Sequence, residues 1–207
     1  MTKKNIKPKF LRINERKNAI DYLEKAHNYI RETEEDLMAW KWVALTLHSA
    51  LYGFAVCACA GTNVDFVAPE IKNGKNKGKR ELISFNKALG YCQNTSVMSR
   101  FDHSKTLKLT SDQRDSINIL KELFRDNFVH FSPKHWSIEL HGISHVAIDI
   151  LDVIRFLAIE TGNITHLSIT EKKKIKSLVY QSKRILKNSA IYKEAEELNI
   201  VRSNTKP

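Results

Sequence analysis

Hydrophobic positions along the chain recur mostly at intervals of three and four, the signature of helices buried along one face. From about Asn14 to Ile30 they are Ile20, Leu23, Ala26 and Ile30, with His27 beside them as a core or boundary residue. Thr33, followed by Glu34, Glu35 and Asp36, has the composition of an N-cap and an acidic first turn, which predicts that a second helix starts there. Leu37, Trp40, Ala44, Leu47, Leu51, Phe54 and Ala58 carry that helix to Gly61, a predicted length of about 40 Å. Gly53, Ala55, Ala58 and Ala60 are small enough to admit a close neighbour.

The pattern breaks between Ala68 and Arg80, where Pro69, Gly74, Gly78 and a cluster of cations predict an exposed, mobile loop. A short helix follows over 81–93, with Leu82, Phe85 and Leu89 on one side, and 94–109 reads as irregular. Thr110 or Ser111 caps the next helix, whose stripe is Ile117, Leu120, Leu123, Phe124 and Phe128, and Pro133 ends it near His130. A helix from about Glu139 to Thr161, closed by Gly162, is apolar almost all round, which places it in the centre of a bundle or at the seam of a bundle and a dimer. Thr170 to Glu197 makes one more helical pattern with a lysine-rich face. The prediction is an all-α, antiparallel up-down helical bundle over 14–165, preceded by a basic arm (1–13) and followed by a basic helical extension packed on it (166–207).

Composition sharpens this picture. Only 7 Gly and 4 Pro in 207 residues argue against a many-turned β-sandwich. The 34 Lys+Arg against 23 Asp+Glu leave a net charge of +11, a field that draws polyanions such as RNA. Three cysteines, Cys57, Cys59 and Cys92, cannot all pair, and no secretory signal is visible, so the expected compartment is the cytoplasm. The uncharged run from Val43 to Ala60 reaches the lower limit for a membrane span, but its His, Ser, Thr and Tyr content reads as a buried core helix.

Two constellations could carry chemistry. In the first, Arg125-Asp126-Asn127-Phe128-Val129-His130 pairs a permanent, bidentate phosphate ligand with a side chain that exchanges protons near neutral pH. Cleavage of an RNA phosphodiester by its own 2′-hydroxyl needs that pair and no metal or other cofactor. Five residues apart on an unbroken helix they diverge by about 140°, so convergence requires the helix to end between them or a second subunit to supply one of them. The bland alternative is a surface Arg125–Asp126 ion pair with His130 at a helix C-terminus. In the second constellation, His141, His145 and Asp149 share a helical face at the spacing of zinc ligands, but Gly142 stands where a metalloprotease motif needs an acid. Structural histidines are the simpler reading, and no metal is expected there.

Arg125, a polar residue at Asp126, three further positions and His130 match the Arg-polar-x-x-x-His signature of the HEPN (higher eukaryotes and prokaryotes nucleotide-binding) superfamily. The run RDNFVHFSPKHWSIEL also resembles a bacterial, often plasmid- or phage-borne branch of it. The resemblance implies a homodimer with two motifs facing one cleft. It further implies a metal-independent endoribonuclease of a toxin–antitoxin, abortive-infection or other defence system, in some cases with an antitoxin protein as partner. Arg125 would then polarise the phosphate, His130 act as general acid/base and Asp126 orient one of them. Contacts to RNA are expected from Asn127, Lys134 and Trp136, with Trp136 the best base-stacking candidate, and from Lys72, Lys75, Lys77, Lys79 and Arg80. The alternative is a non-catalytic bundle that binds RNA or a protein.

Overall fold

A computed structural model describes residues 9–61, 63–122 and 137–200. Among them are eight α-helices and no strand, as the spacing predicts. The first, α1 (Glu15–Glu32), starts where Asn14 accepts a hydrogen bond from the Lys17 amide at 2.9 Å. It buries Ala19, Ile20, Leu23, Ala26, His27 and Ile30.

The second helix departs from the sequence pattern at its start. Thr33 does not cap it: the hydroxyl donates back to the Ile30 carbonyl at 2.9 Å and closes α1 instead. Asp36 accepts from the Met38 amide at 2.8 Å in a local side-chain turn, and α2 (Ala39–Ala60) begins only after it. Its 22 residues span about 33 Å rather than 40 Å, and it ends at Gly61 as expected. Tyr29 stacks on Trp42 near one end of the α1–α2 pair, while Ala19 faces Gly53 near the other, so the two helices run antiparallel. A Cβ on Gly53 would lie 2.8 Å from that of Ala19, which is why only glycine fits this approach.

The remaining helices close around α2. Residues 81–84 are not helical, because Ile83 and Glu81 donate their amides to the Val67 and Pro69 carbonyls, at 2.8 and 3.3 Å. They leave Leu82 exposed, and α3 (Phe85–Cys92) starts at a Ser84 cap. Cys59 and Cys92 are free thiols buried between α2 and α3, with sulfurs 3.3 Å apart, and burial pushes the Cys57 thiol up to about 12. A single turn, α4 (Thr95–Met98), interrupts the segment expected to be irregular. Buried Asn163 ties this segment to the end of the sixth helix through the Met98 carbonyl (3.0 Å) and the Ser104 hydroxyl (2.7 Å).

The fifth helix, α5 (Ser111–Ile119), opens on a full capping box between Thr110 and Gln113 and continues in wider π geometry over 120–122. The sixth, α6 (Ile143–Arg155), starts four residues later than Glu139 and continues as a π turn, Phe156–Glu160, before Gly162 at φ +74°. It is apolar all round because α2, α5 and the C-terminal helices pack on it within one chain, so its composition does not call for a second subunit.

The C-terminal pattern is two helices, not one. The first, α7 (Ile169–Asn188), starts at a Ser168–Glu171 capping box, and its Ile175, Leu178, Val179 and Leu186 join the common core. Ser189 then turns extended: its hydroxyl donates to the Leu186 carbonyl at 2.7 Å and accepts from the Tyr192 amide, which ends α7 and caps α8 (Ala190–Glu197). Helix α2 is long and apolar enough to cross a membrane by length and composition, and 67% of its most apolar window is buried inside the protein.

Two outcomes test this packing. Gly53→Val should lower stability by about 2 kcal/mol in urea unfolding, since neither helix backbone can yield. His27, buried with Nδ1 2.9 Å from the Ser182 hydroxyl, has a pKa lowered from 6.5 by desolvation and then by Arg31, against a smaller opposing pull from Glu24. The folded ring takes up its proton at lower pH than the unfolded chain does, so stability is undiminished above 6.5 and falls as the pH drops below it. The fall in melting temperature from pH 7.5 to 5.5 should therefore be smaller in His27→Gln than in the wild type.

Candidate functional site

The motif residues Arg125, Asp126, Asn127 and His130, with Lys134 and Trp136, lie outside the described residues. What is described is the frame that delivers them. The chain enters the segment through α5 and its 120–122 extension and leaves it at Ser137, with Ile119 and Leu120 on one side and Ile138 and Leu140 on the other packed onto the core.

The strongest tie in that frame is between α5 and α6. The buried Ser116 hydroxyl donates to the Asp149 carboxylate at 2.6 Å, one helical turn before Leu120. Asp149 thus faces α5. The expected shared helical face does not form, because His141 lies in the turn before α6, 3.4 Å from both Glu139 and Glu194; His145 Nε2 is 2.7 Å from Glu196 while its ring stacks on Tyr192. The two histidines thus turn to glutamates, while Asp149 meets Ser116. Among the described residues, no three His, Cys, Asp or Glu side chains are grouped to hold a metal ion.

The predicted basic loop is exposed, and its backbone is paired. The Ile71 amide donates to the Lys79 carbonyl at 2.8 Å and that of Gly78 to the Ile71 carbonyl at 3.0 Å, with Gly74 and Gly78 both at φ +85° where only glycine is unstrained. Lys72, Lys75, Lys77 and Lys79 project into solvent, with Lys79 bonded to Asn76. Arg80 pairs with Asp65, which fastens the base of the turn to the segment after α2. The four lysines form a polyvalent cationic tip without a stacking side chain, suited to backbone phosphates and not to bases.

A groove of about 560 Å³ lies between α2, the start of α3 and the end of α5, lined by Leu45, His48, Ser49, Tyr52, Ser84, Phe85, Asn86 and Lys121. Sequence reading assigned none of these to a site. His48 and Tyr52 stand one turn apart on a mostly buried helix, and only the fold shows that Phe85 meets both rings, at 4.5 and 5.9 Å. The Tyr52 hydroxyl donates to the Ile83 carbonyl, so the stem of the basic turn and the groove share one anchor. Comparison with known protein families, characterised proteins and solved structures finds no match for this chain.

Ser116→Ala leaves the Asp149 carboxylate without its short α5 donor and should cost about 2 kcal/mol in chemical denaturation. Asp149→Asn, which keeps an acceptor for the hydroxyl, should cost less.

Proposed function

We propose that the protein is a metal-independent endoribonuclease of the HEPN type, acting as a homodimer. The observation that carries this reading is the Arg125-Asp126-x-x-x-His130 sequence, set in an all-α bundle directly beyond α5 of a chain with net charge +11. Such a site works without redox or hydrolytic cofactors. His130 takes the proton of the ribose 2′-hydroxyl, the 2′-oxygen bonds to phosphorus, and the bond from phosphorus to the 5′-oxygen breaks. The leaving oxygen takes a proton from the second histidine of the dimer, which gives a 2′,3′-cyclic phosphate and a 5′-hydroxyl. Arg125 offsets the negative charge that grows on the non-bridging oxygens, and Asp126 holds the arginine or the histidine in orientation.

The lysines of the 68–80 turn supply a salt-dependent backbone term to the same substrate. A cytoplasmic defence or toxin role, with an antitoxin protein as regulator, follows from the resemblance and completes the proposal.

Incubation with total RNA in EDTA tests it. The wild type should release fragments ending in cyclic phosphate, and Arg125→Ala and His130→Ala should each cleave about 100-fold more slowly or less, with unchanged melting temperatures. A His130→Ala protein that cleaves like the wild type would overturn the assignment. Intact RNA in every lane, with tight and steeply salt-dependent binding, would favour a non-catalytic RNA-binding bundle.

A further inference from the structure

We propose that the outward face of α7 is a docking surface for the phosphate backbone of RNA, with Lys173, Lys176, Arg184 and Lys187 as its contacts. The proposal deepens the ribonuclease reading and rests on it for RNA as the polyanion. Seven Lys and Arg against one acid, Glu171, put more than half of the chain's net charge of +11 on this one helix. They divide by direction. Lys174 and Lys183 stand on its flanks and pair with Glu24 of α1 at 2.8 Å and Asp152 of α6 at 2.6 Å. Glu171 is engaged by the Ser168 capping box and by Arg16. Lys173, Lys176, Arg184 and Lys187 are exposed and make no ion pair with a described residue. At 100° and 1.5 Å per residue they fall within about 80° of arc along about 21 Å of helix.

A face that served solubility alone would mix its signs. Helix α1 does so: it exposes Lys17, Asp21 and Lys25, which alternate at four-residue spacing and attract one another. On α7 the exposed neighbours three and four residues apart are like charges, Lys172 and Lys173 with Lys176, and Arg184 with Lys187. Such pairs repel, and a bound chain of phosphates offsets the repulsion while releasing its own counterions. The rest of the face selects among polyanions. Its exposed apolar side chains, Ile169 and Tyr180, stand about 16 Å apart along the axis. That separation leaves neither the continuous apolar strip that enters a lipid surface nor the apolar centre of a protein interface, from which lysine is depleted. Ile175, Leu178, Val179 and Leu186 are buried in the core and have no part in insertion. A row of cations held on a helix capped by Ser168 and closed by Ser189 suits a phosphate backbone and reads no base.

The test separates this surface from catalysis. A fluorescent single-stranded 2′-O-methyl RNA 12-mer lacks the attacking hydroxyl and reports binding by anisotropy whether or not the protein is a nuclease. The double variant Lys176→Gln, Arg184→Gln should weaken its binding about tenfold and reduce the salt slope by about 1.4, the value for two phosphate contacts on a single strand. Its melting temperature should be unchanged or higher, because like charges are removed. Lys105→Gln with Lys108→Gln, an equal charge change at exposed lysines before α5, should have a much smaller effect on binding. Equal losses in the two double variants would overturn the proposal. In parallel, lysine acetylation mapped by mass spectrometry should show Lys173, Lys176 and Lys187 protected by the bound RNA, and protection confined to 68–80 would also overturn it. Duplex DNA or phosphatidylserine vesicles bound more tightly than the RNA through the same two residues would remove RNA as the occupant. Binding that depends on α7 without any cleavage would keep the surface and remove the ribonuclease reading. Cleavage by the wild type, with the α7 double variant binding RNA as the wild type does, would remove the surface alone.

Discussion

Covering α2 is the constraint on which the rest of the structure depends. Twenty-two residues without an acid, buried at Trp40, Val43, Leu47, Leu51 and Phe54 and equally at Ala50, Ala55, Ala58 and Cys59, cannot be shielded by one neighbour. Helix α1 covers one side, closely enough at Ala19 and Gly53 to exclude a Cβ, while α3, α6 and the π turn after it cover the others. Once α2 is enclosed, α5 has a place only along α6, where Ser116 and Asp149 fix it. The chain that leads to Arg125 and His130 therefore departs from a fixed support.

The same arrangement explains where polar groups collect. Ser49 and Tyr52 are partly exposed at the gap between α3 and α5, with His48 buried beside them. Ser49 bonds its own backbone at Leu45, and Tyr52 bonds the stem at Ile83, so both hydroxyls at the gap are satisfied within the protein.

Legibility in the sequence followed the range of the interaction. Helices set by local periodicity and a strong cap, such as α1 at Asn14, α5 at Thr110 and the ends of α2 and α6 at Gly61 and Gly162, could be read from neighbouring residues. The boundaries that misled were those where a side chain had two local uses. Thr33 and Ser189 both resemble helix residues or caps, but Thr33 closes the helix before it and Ser189 splits one pattern into two. The 81–84 segment was misread for another reason, since its amides pair with carbonyls more than ten residues away.

The candidate site divides along the same line. The Arg125–His130 motif is a local signal, visible at once in the sequence, whereas the His48, Tyr52, Phe85 and Lys121 groove joins three helices and has no local signal at all. His141, His145 and Asp149 show the converse: a regular local spacing whose members engage different groups, because His141 lies in the turn before α6, Glu194 and Glu196 of α8 meet the two histidines, and Ser116 of α5 meets Asp149. Spacing on one helix therefore constrains which side chains share a face, but only the elements packed against that face decide whether they act together. For the same reason, α5 and its attachment to α6 matter beyond their own contacts: they fix where the chain toward Arg125 departs from the core.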